Sequence, residues 1–112
     1  MTTIAIPRTL ADQLLRRAVS AGDRGARGRI RHSGGSLRCE PMTEIDGETF
    51  ALWLAHPSRT PTPADWPALP ARADLLFLGI SLETKGVLQM RGWSWDGNAW
   101  REQPVEIFED RP

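Results

Sequence analysis

The side chains of this chain best suited to hold a metal or move a proton are His32, Cys39, His56 and Asp65. A catalytic zinc centre needs three protein ligands and an open position for water. The bound water then needs a base, and the substrate oxygen a polarising group. His56 ends an apolar run and is followed by Pro57, while Asp65 closes the tetrad Thr62-Pro63-Ala64-Asp65. These two residues could supply two ligands. The spacings that would join His32 and Cys39 to them match no zinc pattern. Cys39, the single cysteine, reads instead as an ordinary buried or half-buried thiol. Without a metal, His56 would end its strand bonded to backbone or water, and Asp65 would serve the start of a short helix.

Two other groups of residues could meet a partner. Arg24, Arg27, Arg29 and Arg31 alternate with glycines, and arginine suits phosphate groups. No aromatic side chain interleaves them, so bases would have no stacking platform, and a solvated loop is the simpler expectation. The chain has five Trp and no Tyr. Trp93 and Trp95 fall on one strand face, with Trp100 beyond the Asp96-Gly97 turn. Such clusters usually complete a small core by cross-strand packing. Trp95 and Trp100 are the pair expected nearer the surface, where Trp is also favoured in binding.

These residues must be positioned by a small number of elements. Thr2–Ile6 alternates as a short strand that Pro7 ends. Thr9 has the spacing of a helix N-cap with Asp12, and Leu10, Leu14, Ala18 with Leu15, Val19 recur at helical spacing, which predicts a helix over 9–21. A strand at 27–32 paired with Leu37–Met42 is expected around Gly34-Gly35. Asp46-Gly47 is a hairpin signal before the apolar strand Thr49–Ala55. Thr62 can cap a short helix begun by Pro63 and running towards Ala73, with Pro67 and Pro70 limiting it to irregular turns. Leu75–Leu82 is almost continuously apolar, so both of its faces are expected to be covered. Glu83–Gly86 reads as a turn, followed by strands at 87–95, 99–103 and 105–108.

From Phe50 to Gly92 these pieces form an order: a strand ending Ala55-His56-Pro57, a Pro/Thr loop with Thr62-Pro63-Ala64-Asp65, the strand Leu75–Leu82, then Thr84-Lys85-Gly86-Val87-Leu88-Gln89-Met90-Arg91-Gly92. With the start Ile4-Ala5-Ile6-Pro7-Arg8, that order resembles the JAB/MPN (JAMM) family of zinc-dependent isopeptidases, especially its small bacterial members. The family places His-x-His-Pro at a strand end and Asp in a downstream Ser-x-x-Asp, with an upstream Glu as base. The resemblance puts Leu54 at the first histidine, His56 at the second, and Thr62 and Asp65 at the ends of the Ser-x-x-Asp. No residue matches the Glu, since Asp23 is the only acid between Gln13 and Cys39. Only Pro41–Glu48 stands where the family has a second long helix. Five residues separate His56 from Thr62, fewer than the family normally shows.

The resemblance therefore implies a single trimmed domain over residues 1–112 with a JAB/MPN layout, similar to that of the cytidine deaminases. Its expected fold is α/β: a mainly antiparallel, mixed sheet packed by one long N-terminal helix and a short second helix. Leu54, His56, Thr62 and Asp65 would be a vestigial cleft that holds no zinc, with His56 and Asp65 facing each other in direct contact. A non-catalytic binding or assembly module is implied, a pseudoenzyme whose partner would be a ubiquitin-like or sulfur-carrier protein, a partner enzyme or a second copy of itself. The rival expectation is a divergent zinc-dependent hydrolase.

Composition bounds these readings. The 112 residues suffice for one core. Fourteen basic and fourteen acidic residues cancel, so net charge favours no nucleic-acid partner. The charge is uneven, with eight Arg against three acids in residues 1–40 and the balance reversed beyond. Two halves that attract each other, or solvated faces, would account for it. One cysteine allows no intrachain disulfide, no apolar run approaches bilayer length, and no basic-then-apolar start is present. A cytoplasmic protein with no membrane partner is the expectation.

Overall fold

The computed structural model describes residues 3–21, 25–33, 36–41, 49–66, 75–82 and 89–110. The chain is an α/β sandwich: a mixed, mostly antiparallel sheet packed against one long N-terminal helix, with a short 3-10 turn. In order come β1 (Ile4–Pro7), α1 (Arg8–Ala21), β2 (Ala26–Ser33), β3 (Ser36–Pro41), β4 (Thr49–His56), the 3-10 turn Pro63–Asp65, β5 (Leu76–Ser81), β6 (Gln89–Trp95), β7 (Trp100–Gln103) and β8 (Val105–Phe108). The main sheet has the order β3-β2-β4-β5-β6-β7, and β1 pairs with β8 in a separate two-stranded sheet. Within the main sheet β4 and β5 are parallel. The β2–β3, β2–β4, β5–β6 and β6–β7 pairs are antiparallel.

The two apolar runs of the sequence are the two central strands, because central strands lose water from both faces. Side chains alternate along them. Ala51, Trp53, Ala55, Leu78 and Ile80 join Ile4, Ile6, Leu10 and Leu14 in the core beneath α1 and the small sheet. On the opposite face Leu52, Leu75, Phe77, Trp66 and Trp93 form a second core. Here Phe77 meets Trp66 edge-on at 6.3 Å and Trp93 at 5.6 Å between ring centres. Burying each large apolar side chain contributes about 1.5–3 kcal/mol. The two layers therefore fix β4 and β5 from both sides.

Some local expectations change. Thr9 lies inside α1 and is no N-cap. Its N–H donates to Asp110 Oδ1 at 3.0 Å and its hydroxyl to Asp110 Oδ2 at 2.6 Å. A carboxylate from the far end of the chain thus serves the helix start, where negative charge is favoured. The Arg/Gly stretch from Gly25 onward is strand β2, paired on both sides, and no solvated loop. The second helix is three residues long in the described chain. Its expected course towards Ala73 lies outside the described residues, as do Gly34-Gly35, Asp46-Gly47 and Glu83–Gly86. Among the described residues no helix is long and apolar enough to cross a membrane.

Candidate functional site

The end of β4 and the loop after it define the site. β2 runs antiparallel to β4 with Ala26 opposite Ala55 and Arg27 opposite Leu54. Gly25 enters this strand at φ +70°, and a Cβ there would stand 2.7 Å from the Ala55 carbonyl oxygen, so glycine is required. After His56 the loop is pinned at buried Pro61. A Cβ on Gly79 of β5 would lie 2.0 Å from the Pro61 carbonyl oxygen. Glycine at 79 therefore lets the loop backbone press onto the sheet, and the 3-10 turn follows at once.

That close approach gathers Leu54, His56 and Asp65 around one cavity of about 390 Å³, together with Gly25, Arg27, Arg59 and Pro61. Three of the four residues expected to form a cleft thus line one cavity, with Thr62 bonded to Asp65. The expected direct contact between His56 and Asp65 is absent. His56 Nδ1 accepts the Ser58 backbone N–H at 3.1 Å, and Ser58 Oγ lies 3.2 Å away. Asp65 Oδ2 accepts from Arg59 Nη1 at 2.9 Å and from the Thr62 N–H at 2.8 Å. Nearer donors, supplied by each residue's own loop, occupy both groups.

This bonding decides what the site can do. A neutral imidazole whose Nδ1 accepts a backbone N–H carries its proton on Nε2. Nε2 is then a donor and offers no lone pair to a metal. The Arg59 guanidinium, with help from the Thr62 N–H, holds the Asp65 carboxyl below its usual range. Leu54 contributes hydrocarbon. The donor set does not fit a three-ligand zinc site. Among the described residues no group of three His, Cys, Asp or Glu side chains could hold a metal ion. The four-residue set His32, Cys39, His56 and Asp65 is also separated by the fold. His32 sits six positions along β2 from Ala26, about 20 Å away.

Cys39 belongs to another place. It is buried on β3, facing α1. Gln13 Oε1 accepts its N–H at 3.1 Å, and Arg17 Nη2 donates to its carbonyl at 3.2 Å. Burial pushes the thiol pKa up to about 11, against the opposing pull of Arg17.

The expected arginine surface is uneven. Arg29 is 7% exposed and pairs with Glu40 at 3.1 Å, so it offers no interaction surface. Arg31 is half-buried, and Arg24 lies outside the described residues. Arg27 is exposed, with its guanidinium carbon 5.7 Å from the centre of the Trp66 ring. Trp95 and Trp100 are half-buried and meet edge-on at 5.7 Å, finishing the second core at its rim. Sequence reasoning missed Gly25, Ser58 and Arg59. A serine two residues after His56 and an arginine six before Asp65 were the available signals, but only the folded loop bonds them to those two residues.

No family model matches the chain, and no curated protein matches it. Among solved structures it is similar to the solution structure of protein DSY2949 from Desulfitobacterium hafniense. The TM-score is 0.68 over 96% of this chain and 94% of that one, at 16% identity. At that identity the likeness is one of fold alone.

Proposed function

We propose that the chain is a non-catalytic binding or assembly module of trimmed JAB/MPN-like layout, whose cleft receives part of a protein partner. The order of elements supports the layout, and the sharing of one cavity by Leu54, His56 and Asp65 supports the cleft. The observation that carries the non-catalytic part is the bonding of His56. Its Nδ1 is taken by the Ser58 N–H, leaving a donor where a zinc ligand would need a lone pair. A second copy, a ubiquitin-like tail or a sulfur-carrier protein are the partner classes the resemblance implies.

The test joins metal analysis of protein purified without chelators to a binding and cleavage assay, with a purified sulfur-carrier protein as probe. The expected outcome is no stoichiometric zinc, saturable binding and no cleavage. About one zinc per chain with cleavage of a fused tail would establish the divergent hydrolase instead. Leu54→His alone is expected to leave hydrolysis undetectable, because no residue of the sequence matches the Glu that serves the family as base.

A further inference from the structure

We propose that the cavity at the end of β4 is a site for a single monoanionic carboxylate, anchored by Arg27. The proposal rests on the binding-module reading only in taking this cleft as the place where a ligand sits. Its basis is the charge that the cavity leaves over. Arg59 and Asp65 face it and pair with each other at 2.9 Å. Among the described residues the interaction of the Arg27 guanidinium is with the Trp66 ring, which holds the charge in place without neutralising it. His56, with Nδ1 already accepting, adds an Nε2–H donor. The cavity therefore presents one surplus positive charge and a neutral donor.

Arginine presents a fork of N–H donors that matches a carboxylate. A dianion would suit the site less well, because the Asp65 carboxylate lines the same wall and would repel the second charge. The volume of about 390 Å³ is at the lower end of ligand clefts. Leu54, Ala55 and Pro61 supply an apolar wall for the carbon atoms next to the carboxylate.

The experiment is a titration of the purified protein followed by amide NMR, with N-acetylglycine, N-acetylglycinamide and inorganic phosphate as three separate probes. N-acetylglycine should give saturable shifts at the Gly25, Arg27 and His56 amides. The glycinamide should bind at least tenfold more weakly, and phosphate more weakly than the carboxylate. Arg27→Gln should weaken carboxylate binding at least tenfold, and Arg27→Lys should lose less, since it keeps the charge without the fork. Equal binding of amide and carboxylate, tighter binding of phosphate, an unaffected Arg27→Gln or no saturable shift would each overturn the site. Failure here in a protein that takes up no zinc would leave the binding-module reading standing. Zinc uptake with cleavage would overturn that reading whatever the carboxylate result.

Discussion

At the β3 edge and at the end of β4, arginine meets the sheet in two different ways. The Cys39 N–H and carbonyl, which a bare edge would expose, are both bonded to α1 through Gln13 and Arg17. The next outward position is Pro41, which has no N–H to offer. At Cys39 that edge is covered by side chains of α1. At the end of β4 the bonding stays within one loop, and among the described residues one further cation has no carboxylate partner. Arg59 is matched by Asp65, while Arg27 rests on Trp66. The difference separates polar groups bonded to the backbone of an edge strand from a charge that lies beside a cavity. Arg17 covers an edge carbonyl through one hydrogen bond, whereas Arg27 rests on a ring beside a cavity.

The comparison can be tested by loosening each region. The largest effect is expected from Gly79→Ala, whose Cβ would meet the Pro61 carbonyl oxygen. The loop bearing Arg59 and Asp65 must shift, and denaturant unfolding should show a loss of about 1–3 kcal/mol. An unchanged midpoint would mean that the loop is not pinned there. Next comes Gln13→Ala at the closed edge. It leaves the Cys39 N–H without its acceptor and should cost about 1–2 kcal/mol in the same assay, with no effect on ligand binding at the β4 end. Loss of binding in that variant would show that the two regions are not separate.

An effect on stability is also expected from pH. The folded Cys39 thiol is raised to about 11 from its ordinary 9.0, chiefly by burial. Between those values the unfolded chain loses the proton that the folded chain keeps. The thiol's contribution is complete below about 9 and is lost as pH rises towards 11. The chain has no Tyr, so few other groups titrate in this window. Cys39→Ala should flatten the stability slope between pH 9 and 11, and an unchanged slope would contradict the burial of the thiol.

Much of the scaffold was legible in the sequence because it depends on hydrophobic periodicity. Thr49–Ala55 and Leu75–Leu82 announced the central strands, and Leu10, Leu14 and Ala18 announced the buried side of α1. The Thr9 cap was not legible, since its partner Asp110 is 101 positions away and only the β1–β8 pairing brings it near. The shared cavity of His56 and Asp65 was visible through the order of motifs. Their direct contact was a misreading, because backbone N–H groups of Ser58 and Thr62 lie closer in the chain and bond first. The surplus charge of Arg27 could not be read at all. Arg27 and Arg29 lie two positions apart on one face of β2, and only the folded surroundings set Trp66 beside the first and Glu40 beside the second.

The most direct test of the central proposal, that the cleft at the end of β4 offers no lone pair to a metal, is the tautomer of the His56 ring. Long-range proton–nitrogen NMR at a pH where the ring is neutral distinguishes its two nitrogens. The bonding described here predicts that Nδ1 is the unprotonated nitrogen, that Nε2 carries the proton, and that one equivalent of zinc leaves both signals unchanged. An unprotonated Nε2 that shifts on adding zinc would contradict the account and restore His56 as a ligand.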